Sequence, residues 1–383
     1  MPLLLKNASL FAPEPLGPGS VLIEENRIAE LFQIGESAPD VPSLDLGGAA
    51  LGPGLIDLHM HGADQVELMD GGEAVVRMAR FAARHGVTGF LPSTVTASIK
   101  ATARAVESVR TAMQHPPTGT ARVLGAHLEG PFISPKRLGA QSPRFCIPPT
   151  AENVATILDI AQDVTRTVTL APEEAGGMEA IRTFCERGIT VSIGHTVAHA
   201  GQAEAAFAAG ARQVTHLFNG MPPMHHREPG VVGAALTTQG VKVELIADGV
   251  HLAPSIIRLA IAAKGIDDVL LITDAMAATG CEDGEYVLGP MQVQVRNGEA
   301  RLASGNLAGS TLTLDRAVVN VARWTNVGLG GAWQMASLNP ARQLGMEGRV
   351  GRIAPGYDAD LTAMDTSGQV IMTMVGGEIV YRP

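Results

Sequence analysis

Pro53-Gly54-Leu55-Ile56-Asp57-Leu58-His59-Met60-His61-Gly62 is the stretch from which the architecture is read. Leu55–Leu58 is a short apolar run of the kind that forms a buried strand, and two histidines follow it at once. In an extended segment residues i and i+2 point to the same side, so the two imidazoles converge. A doubly wound open sheet would carry a glycine-rich phosphate loop after this first strand, and Leu55–Gly62 has none. The alternative is a closed parallel barrel, whose working groups stand at the C-terminal ends of its strands.

Outward from that stretch the pattern repeats. Seven further strands are predicted at Val87–Leu91, Arg122–Leu128, Thr167–Leu170, Ile189–Ile193, Gln213–Leu217, Val241–Ala247 and Val269–Thr273. Helical periods lie between them. Ala74–His85 puts Val75, Met78, Ala79 and Ala82 on one face and stops before Gly86. Thr150–Asp163 opens on an N-cap threonine, and Pro254–Lys264 has proline in its first turn with Gly265 beyond its end. Eight βα units in series predict an α/β fold, a (β/α)8 TIM-like barrel. The ends of the chain differ. Leu3–Lys6, Ser20–Glu24 and Arg27–Phe32 before the barrel, and Leu361–Met364, Val370–Val375 and Glu378–Tyr381 after it, read as short strands with turns. Neither end holds a core by itself. Residues 1–53 together with 347–383 are therefore expected to form one small β-sandwich domain, with the barrel over 54–346.

The length of 383 residues suits a barrel of roughly 250 residues plus such a second unit. A formal net charge of -10 excludes a generic nucleic-acid or anionic-membrane surface, so any anionic ligand must be held by a local cation. Cys146, Cys185 and Cys281 show neither metal-ligand nor redox spacing, which fits a reducing compartment. The N-terminal stretch has no signal-peptide pattern and no apolar run reaches the roughly 18 residues of a membrane helix, so a cytoplasmic protein is expected.

Chemistry collects at the strand ends. Glu129 closes the third predicted strand, His195 the fifth, His216 the sixth and Asp274 the eighth. Any one of them alone reads as a hydrogen-bonded polar residue. Four histidines and two carboxylates at one barrel mouth would leave costly unpaired groups unless a cation organised them. His59 and His61 would hold one ion and His195 and His216 another, with Glu129 shared between them. Asp274 is then free to move a proton between an attacking water and a leaving group. Arg227, in a proline-rich loop after the sixth strand, is a candidate receptor for phosphate or carboxylate; a surface ion pair with Glu228 is the alternative. His85 and His115 read as solvated, His199 as a helix-start residue, and His127 as either packed in the barrel or supporting the ligands.

With these residues in view, the chain resembles the amidohydrolase superfamily, and within it the deacetylases of phosphorylated N-acetyl amino sugars. The resemblance runs over nearly the whole chain. It rests on Pro53–Gly62, His127-Leu128-Glu129-Gly130-Pro131-Phe132, Gly194–Thr196, Thr215–Met221, Arg227-Glu228-Pro229-Gly230, Asp248–His251 and Thr273–Ala275. It implies metal ligation by His59, His61, Glu129, His195 and His216, with one or two divalent transition ions per subunit: zinc first, with iron, cobalt or manganese as alternatives. It implies an acid/base role for Asp274 and substrate contacts at Gln141, Asn219, Gly220, Arg227, His251 and Leu307. Arg227 would reach the sugar phosphate across a homodimer interface. The implied substrate is N-acetylglucosamine 6-phosphate; the N-acetylgalactosamine analogue, an N-acyl amino acid, or a non-catalytic metal-stabilised barrel are the alternatives. One departure stands out. Gly139-Ala140-Gln141 has glutamine where the family typically has histidine, and glutamine donates a hydrogen bond without carrying charge.

Overall fold

A computed structural model describes residues 2–383. Leu55–Met60 pairs in parallel with Val87–Thr94, and the ladder continues through Ala126–Glu129, Thr165–Leu170, Thr190–Ile193, Gln213–Val214, Lys242–Ile246 and Val269–Ile272. The last strand closes on the first where Met60 bridges Ala275 and the Asp274 N–H donates to the His59 carbonyl at 2.9 Å. Asp57 reinforces that seam: it accepts the Thr273 hydroxyl at 2.6 Å and the Thr273 N–H at 3.3 Å. This is the parallel barrel that the strand–helix alternation predicts.

The first, second and fourth strands run two or three residues beyond their predicted bounds, and two others are broken or cut short. The third is interrupted after Val123, at Leu124-Gly125, where Gly125 has φ +147° and an added Cβ would lie 2.4 Å from Arg166. The sixth stops at Val214, well short of Leu217, because the chain turns there to deliver His216. The helices fall as predicted within a residue or two: Ala74–Arg84, Ala151–Ala161 and Pro254–Lys264. The Thr150 hydroxyl caps the second by accepting the Asn153 N–H at 3.3 Å.

Strands from both ends of the chain share one eight-stranded sheet. Ala50–Pro53 joins the two halves, pairing in parallel with Leu3–Phe11 and antiparallel with Leu361–Met364. Leu5, Leu10, Val21, Ile23, Leu361 and Met374 fill its own core. Trp333, on the helix Gly328–Met335, ties this sheet to the barrel. It is fully buried, stacks on Phe11 at 6.0 Å between ring centroids and donates Nε1–H to the Pro53 carbonyl at 2.7 Å. Trp333→Phe leaves that carbonyl without its partner and is expected to cost about 1–3 kcal/mol, read as a lower urea midpoint. An unchanged midpoint would remove the hydrogen bond from the account.

One element was not foreseen. After the eighth strand the chain forms a three-stranded antiparallel sheet, Gly284–Leu288, Met291–Arg296 and Glu299–Arg301. The Glu67 carboxylate holds its first turn by accepting the Gly289 N–H at 2.8 Å. Leu288, Met291 and Leu302 of this segment line the cleft over the barrel mouth.

Candidate metal centre and active site

His59 and His61 leave the first strand, Glu129 ends the third, and His195, His216 and Asp274 stand two residues beyond the fifth, sixth and eighth. All six are buried, none more than 7% exposed. The last three have left-handed backbones, with φ +46°, +28° and +52°, a conformation that costs a non-glycine residue about 1–3 kcal/mol. The bend turns each side chain from the strand direction into the barrel mouth.

Three of the four rings are oriented from behind, while His216 Nδ1 is buried without a partner. His59 Nδ1 faces a Glu244 carboxylate oxygen at 3.1 Å, His61 Nδ1 the Ser93 carbonyl at 3.2 Å, and His195 Nδ1 the Arg137 carbonyl at 2.8 Å. A carboxylate and a carbonyl only accept, so each Nδ1 carries the hydrogen and each Nε2 presents a lone pair to the centre. There the Nε2 atoms of His59 and His61 face each other at 3.1 Å, as do those of His195 and His216. Glu129 spans the two pairs: one oxygen lies 3.0 Å from His216 and 3.2 Å from His195, the other 3.3 Å from His61. Asp274 Oδ1 lies 3.1 Å from His61 and 3.5 Å from His59. Two donor sets face the cleft, His59–His61–Asp274 and Glu129–His195–His216, and a third group, His59–His127–Glu244, lies behind them. Facing lone pairs at such distances require a positive charge between them, and imidazole with carboxylate is a donor set for a divalent transition ion.

Without an ion, protons take that place. Burial pulls His61 down, but the Asp274 and Glu129 carboxylates outweigh it and hold the imidazole up at about 10. His216 is likewise opposed by burial and raised by Glu129 and Asp274 to about 9. Burial pushes the Glu129 and Asp274 carboxyls up, yet the surrounding imidazoles leave both well below the usual carboxylate range. His127 is packed behind the ligands: its ring meets His59 edge-on at 4.4 Å and its Nε2 pairs with the Thr169 hydroxyl at 2.7 Å. Burial, then the charge on His59, keeps it well below the ordinary histidine value and therefore neutral.

A cleft of about 590 Å³ opens above the centre, lined by Gln141, Asn219, Gly220, His251 and Leu307 among others. His251 is held by Asp248, its Nδ1 2.7 Å from the carboxylate. Gln141 has both ends of its amide engaged: Oε1 accepts the Thr96 N–H at 2.7 Å and Nε2 donates to Glu129. Arg227 stands apart. It is exposed, does not line its own chain's cleft and rests against His226 Nε2 at 2.9 Å, with no ion pair to Glu228 among the described residues. His199 caps the helix Ala200–Ala209, and His115 is exposed. His85 is only half-buried, but it faces Asp315 at 3.4 Å and packs on Phe81. Sequence reasoning missed Glu244 and Asp57. The signal was available in each case: a carboxylate between apolar neighbours inside a predicted barrel strand.

Comparison with known proteins agrees with this geometry. The Amidohydrolase family profile matches residues 50–380. This chain belongs to the amidohydrolase family. It is accordingly a hydrolytic enzyme, and the two donor sets suit the divalent metal on which the family relies. A N-acetylglucosamine-6-phosphate deacetylase of Vibrio furnissii is 39% identical over 362 residues, covering 94% of this chain and 90% of the relative. A N-acetylgalactosamine-6-phosphate deacetylase of Escherichia coli O157:H7 is 40% identical over 328 residues, covering 85% and 86%. A solved Mycobacterium smegmatis N-acetyl-D-glucosamine-6-phosphate deacetylase variant, in complex with N-acetyl-D-glucosamine-6-phosphate, superposes with a TM-score of 0.92 at 34% identity over 99% of each chain. No helix among the described residues is long and apolar enough to cross a membrane.

Proposed function

We propose that this amidohydrolase removes the acetyl group of N-acetyl-D-glucosamine 6-phosphate, giving D-glucosamine 6-phosphate and acetate. The observation that carries it is the convergence of four imidazole Nε2 atoms and two carboxylates on the floor of an open cleft. His59, His61, Glu129, His195 and His216 hold one or two divalent ions, with zinc the first candidate. When bound, the metal supplies Lewis acidity that acidifies a water and polarises the acetamide carbonyl. Asp274 takes the proton of the attacking water; as the new C–O bond forms and the C–N bond breaks, it returns that proton to the departing amine. Gln141 holds Glu129 in position while lining the cleft. Asn219, Gly220, His251 and Leu307 contact the sugar. The Escherichia coli relative supports a second reading, in which the substrate is the N-acetylgalactosamine epimer.

Arg227 supplies the phosphate contact in a partner subunit. Its exposure and its absence from the lining of its own cleft support a homodimer in which each chain completes the other's site. Three unpaired cysteines support the cytoplasm as the place of action. A charge-assisted contact to phosphate contributes about 2–3 kcal/mol, or roughly 30- to 150-fold in binding. Arg227→Ala is therefore expected to raise KM for the phosphosugar by that factor and to leave turnover of the unphosphorylated sugar unchanged. Equal damage to both substrates would assign Arg227 a structural role.

Acetate release from both 6-phosphosugars and from unphosphorylated N-acetylglucosamine, measured before and after chelation, tests the assignment. Activity that is much stronger on the phosphosugars, lost on chelation and restored by divalent metal supports it. Full activity in rigorously metal-free protein sinks it, and preference for the galactose epimer selects the second reading.

A further inference from the structure

Glu244 is fully buried in the middle of the seventh barrel strand, and its carboxylate accepts three hydrogen bonds. One oxygen accepts Nδ1–H of His59 at 3.1 Å and the main-chain N–H of His216 at 3.1 Å. The other accepts Gln213 Nε2–H at 2.5 Å. Its main-chain carbonyl accepts the Leu217 N–H at 2.9 Å. Gln213 is fully buried on the neighbouring strand, and its own oxygen accepts Gln343 Nε2–H at 2.8 Å. A string of side chains thus runs from the short helix Leu338–Gln343 through the barrel to the rear of the metal centre. Its polarity is dictated from one end. A carboxylate only accepts, so Gln213 must point its NH₂ at Glu244 and its oxygen at Gln343.

We propose that Glu244, held by Gln213 and Gln343, is the positioning residue of the metal centre. It locks His59 in the tautomer with hydrogen on Nδ1, leaving the Nε2 lone pair for an ion. It also pins the main chain of His216 in its left-handed conformation, φ +28°, on the other side of the centre. One carboxylate therefore sets a ring in the first donor set and a backbone in the second. No substrate atom need touch it.

The inference rests on the metal-centre reading, and its test separates the two. Metal-free protein is titrated with zinc alone against a chromophoric chelator, with stoichiometry read by elemental analysis. Wild type is compared with Glu244→Gln and with Glu244→Gln/Gln213→Glu. The single variant keeps the shape but loses the charge behind His59 and leaves the amide orientation undetermined. It is expected to bind at least one zinc about 10- to 100-fold more weakly, the range for partners that orient a metal-ligating histidine. In the double variant residue 213 must accept from residue 244, which turns the residue 244 oxygen back toward His59 and His216. Most of the lost affinity should return. Wild-type zinc affinity in Glu244→Gln would overturn the proposal, whereas absence of zinc binding in the wild type would overturn the metal centre and the proposal together. Should the single variant fail to fold, ¹⁵N spectra of zinc-loaded, histidine-labelled wild type decide. The ring signal lost in His59→Gln must report hydrogen on Nδ1, and hydrogen on Nε2 overturns the proposal.

Discussion

Asp274→Asn is expected to lower kcat by about 10²–10⁴-fold, the range for removal of a positioned acid/base, while KM stays within a few fold. The residue stands at the cleft floor, and its Oδ1 is within 3.5 Å of two imidazoles. In the metal-free protein the surrounding imidazoles overcome its burial and hold its carboxyl well below the usual range, so it is ionised. An asparagine keeps the volume and one oxygen but has no basic site for a proton. Because Asp274 also faces His59 and His61, metal content must be measured on the same sample. A variant with full metal and near-normal kcat removes Asp274 from the proton path. A variant that loses its metal assigns Asp274 chiefly to ligation.

Stripping the metal is expected to abolish activity and to destabilise the protein in a pH-dependent way. An ion present at a thousandfold over its Kd adds about 4 kcal/mol to folding stability. The sign of the pH effect follows from the imidazoles. In metal-free protein His61 is raised to about 10 and His216 to about 9, from an unfolded value near 6.5. A raised imidazole contributes stability that is fully present below pH 6.5 and is lost as pH rises through the folded value. The metal-free protein should therefore weaken between about pH 6.5 and 10 as the protons that hold the carboxylates leave. Bound metal requires deprotonated imidazole and holds better over the same window. The difference in Tm between loaded and stripped protein should thus widen with rising pH. A gap that narrowed would mean the converging imidazoles are not where the ion binds.

Much of this was legible in the order of residues. The barrel strands announced themselves as short apolar runs separated by helical periods, because burial on both faces of a parallel strand and on one face of a helix leaves those signatures. His59 and His61 were legible because period two puts them on one side of a strand end, and Glu129, His195, His216 and Asp274 because each follows an apolar run. The interruption at Gly125 and the early end at Val214 were not, since both come from close packing and from turns that no local pattern marks. The antiparallel sheet over 284–301 lies outside the repeating βα pattern, so that pattern does not mark it.

Local pattern, then, determined the barrel, its strand order and the residues at its mouth, since alternation says which side a residue faces. It does not say which residue it meets. Gln213 and Glu244 are 31 positions apart, and Gln343 lies 130 beyond Gln213. Only the parallel register and the packing of the final helix bring these three behind His59. The same holds for Gln141, whose amide is fixed between Thr96 and Glu129, and for Arg227, which sequence could assign to the mouth loops but not to the outside of its own cleft. Such partners are decided by three-dimensional closure, because the free energy of a hydrogen bond or an ion depends on distances that only the assembled barrel defines.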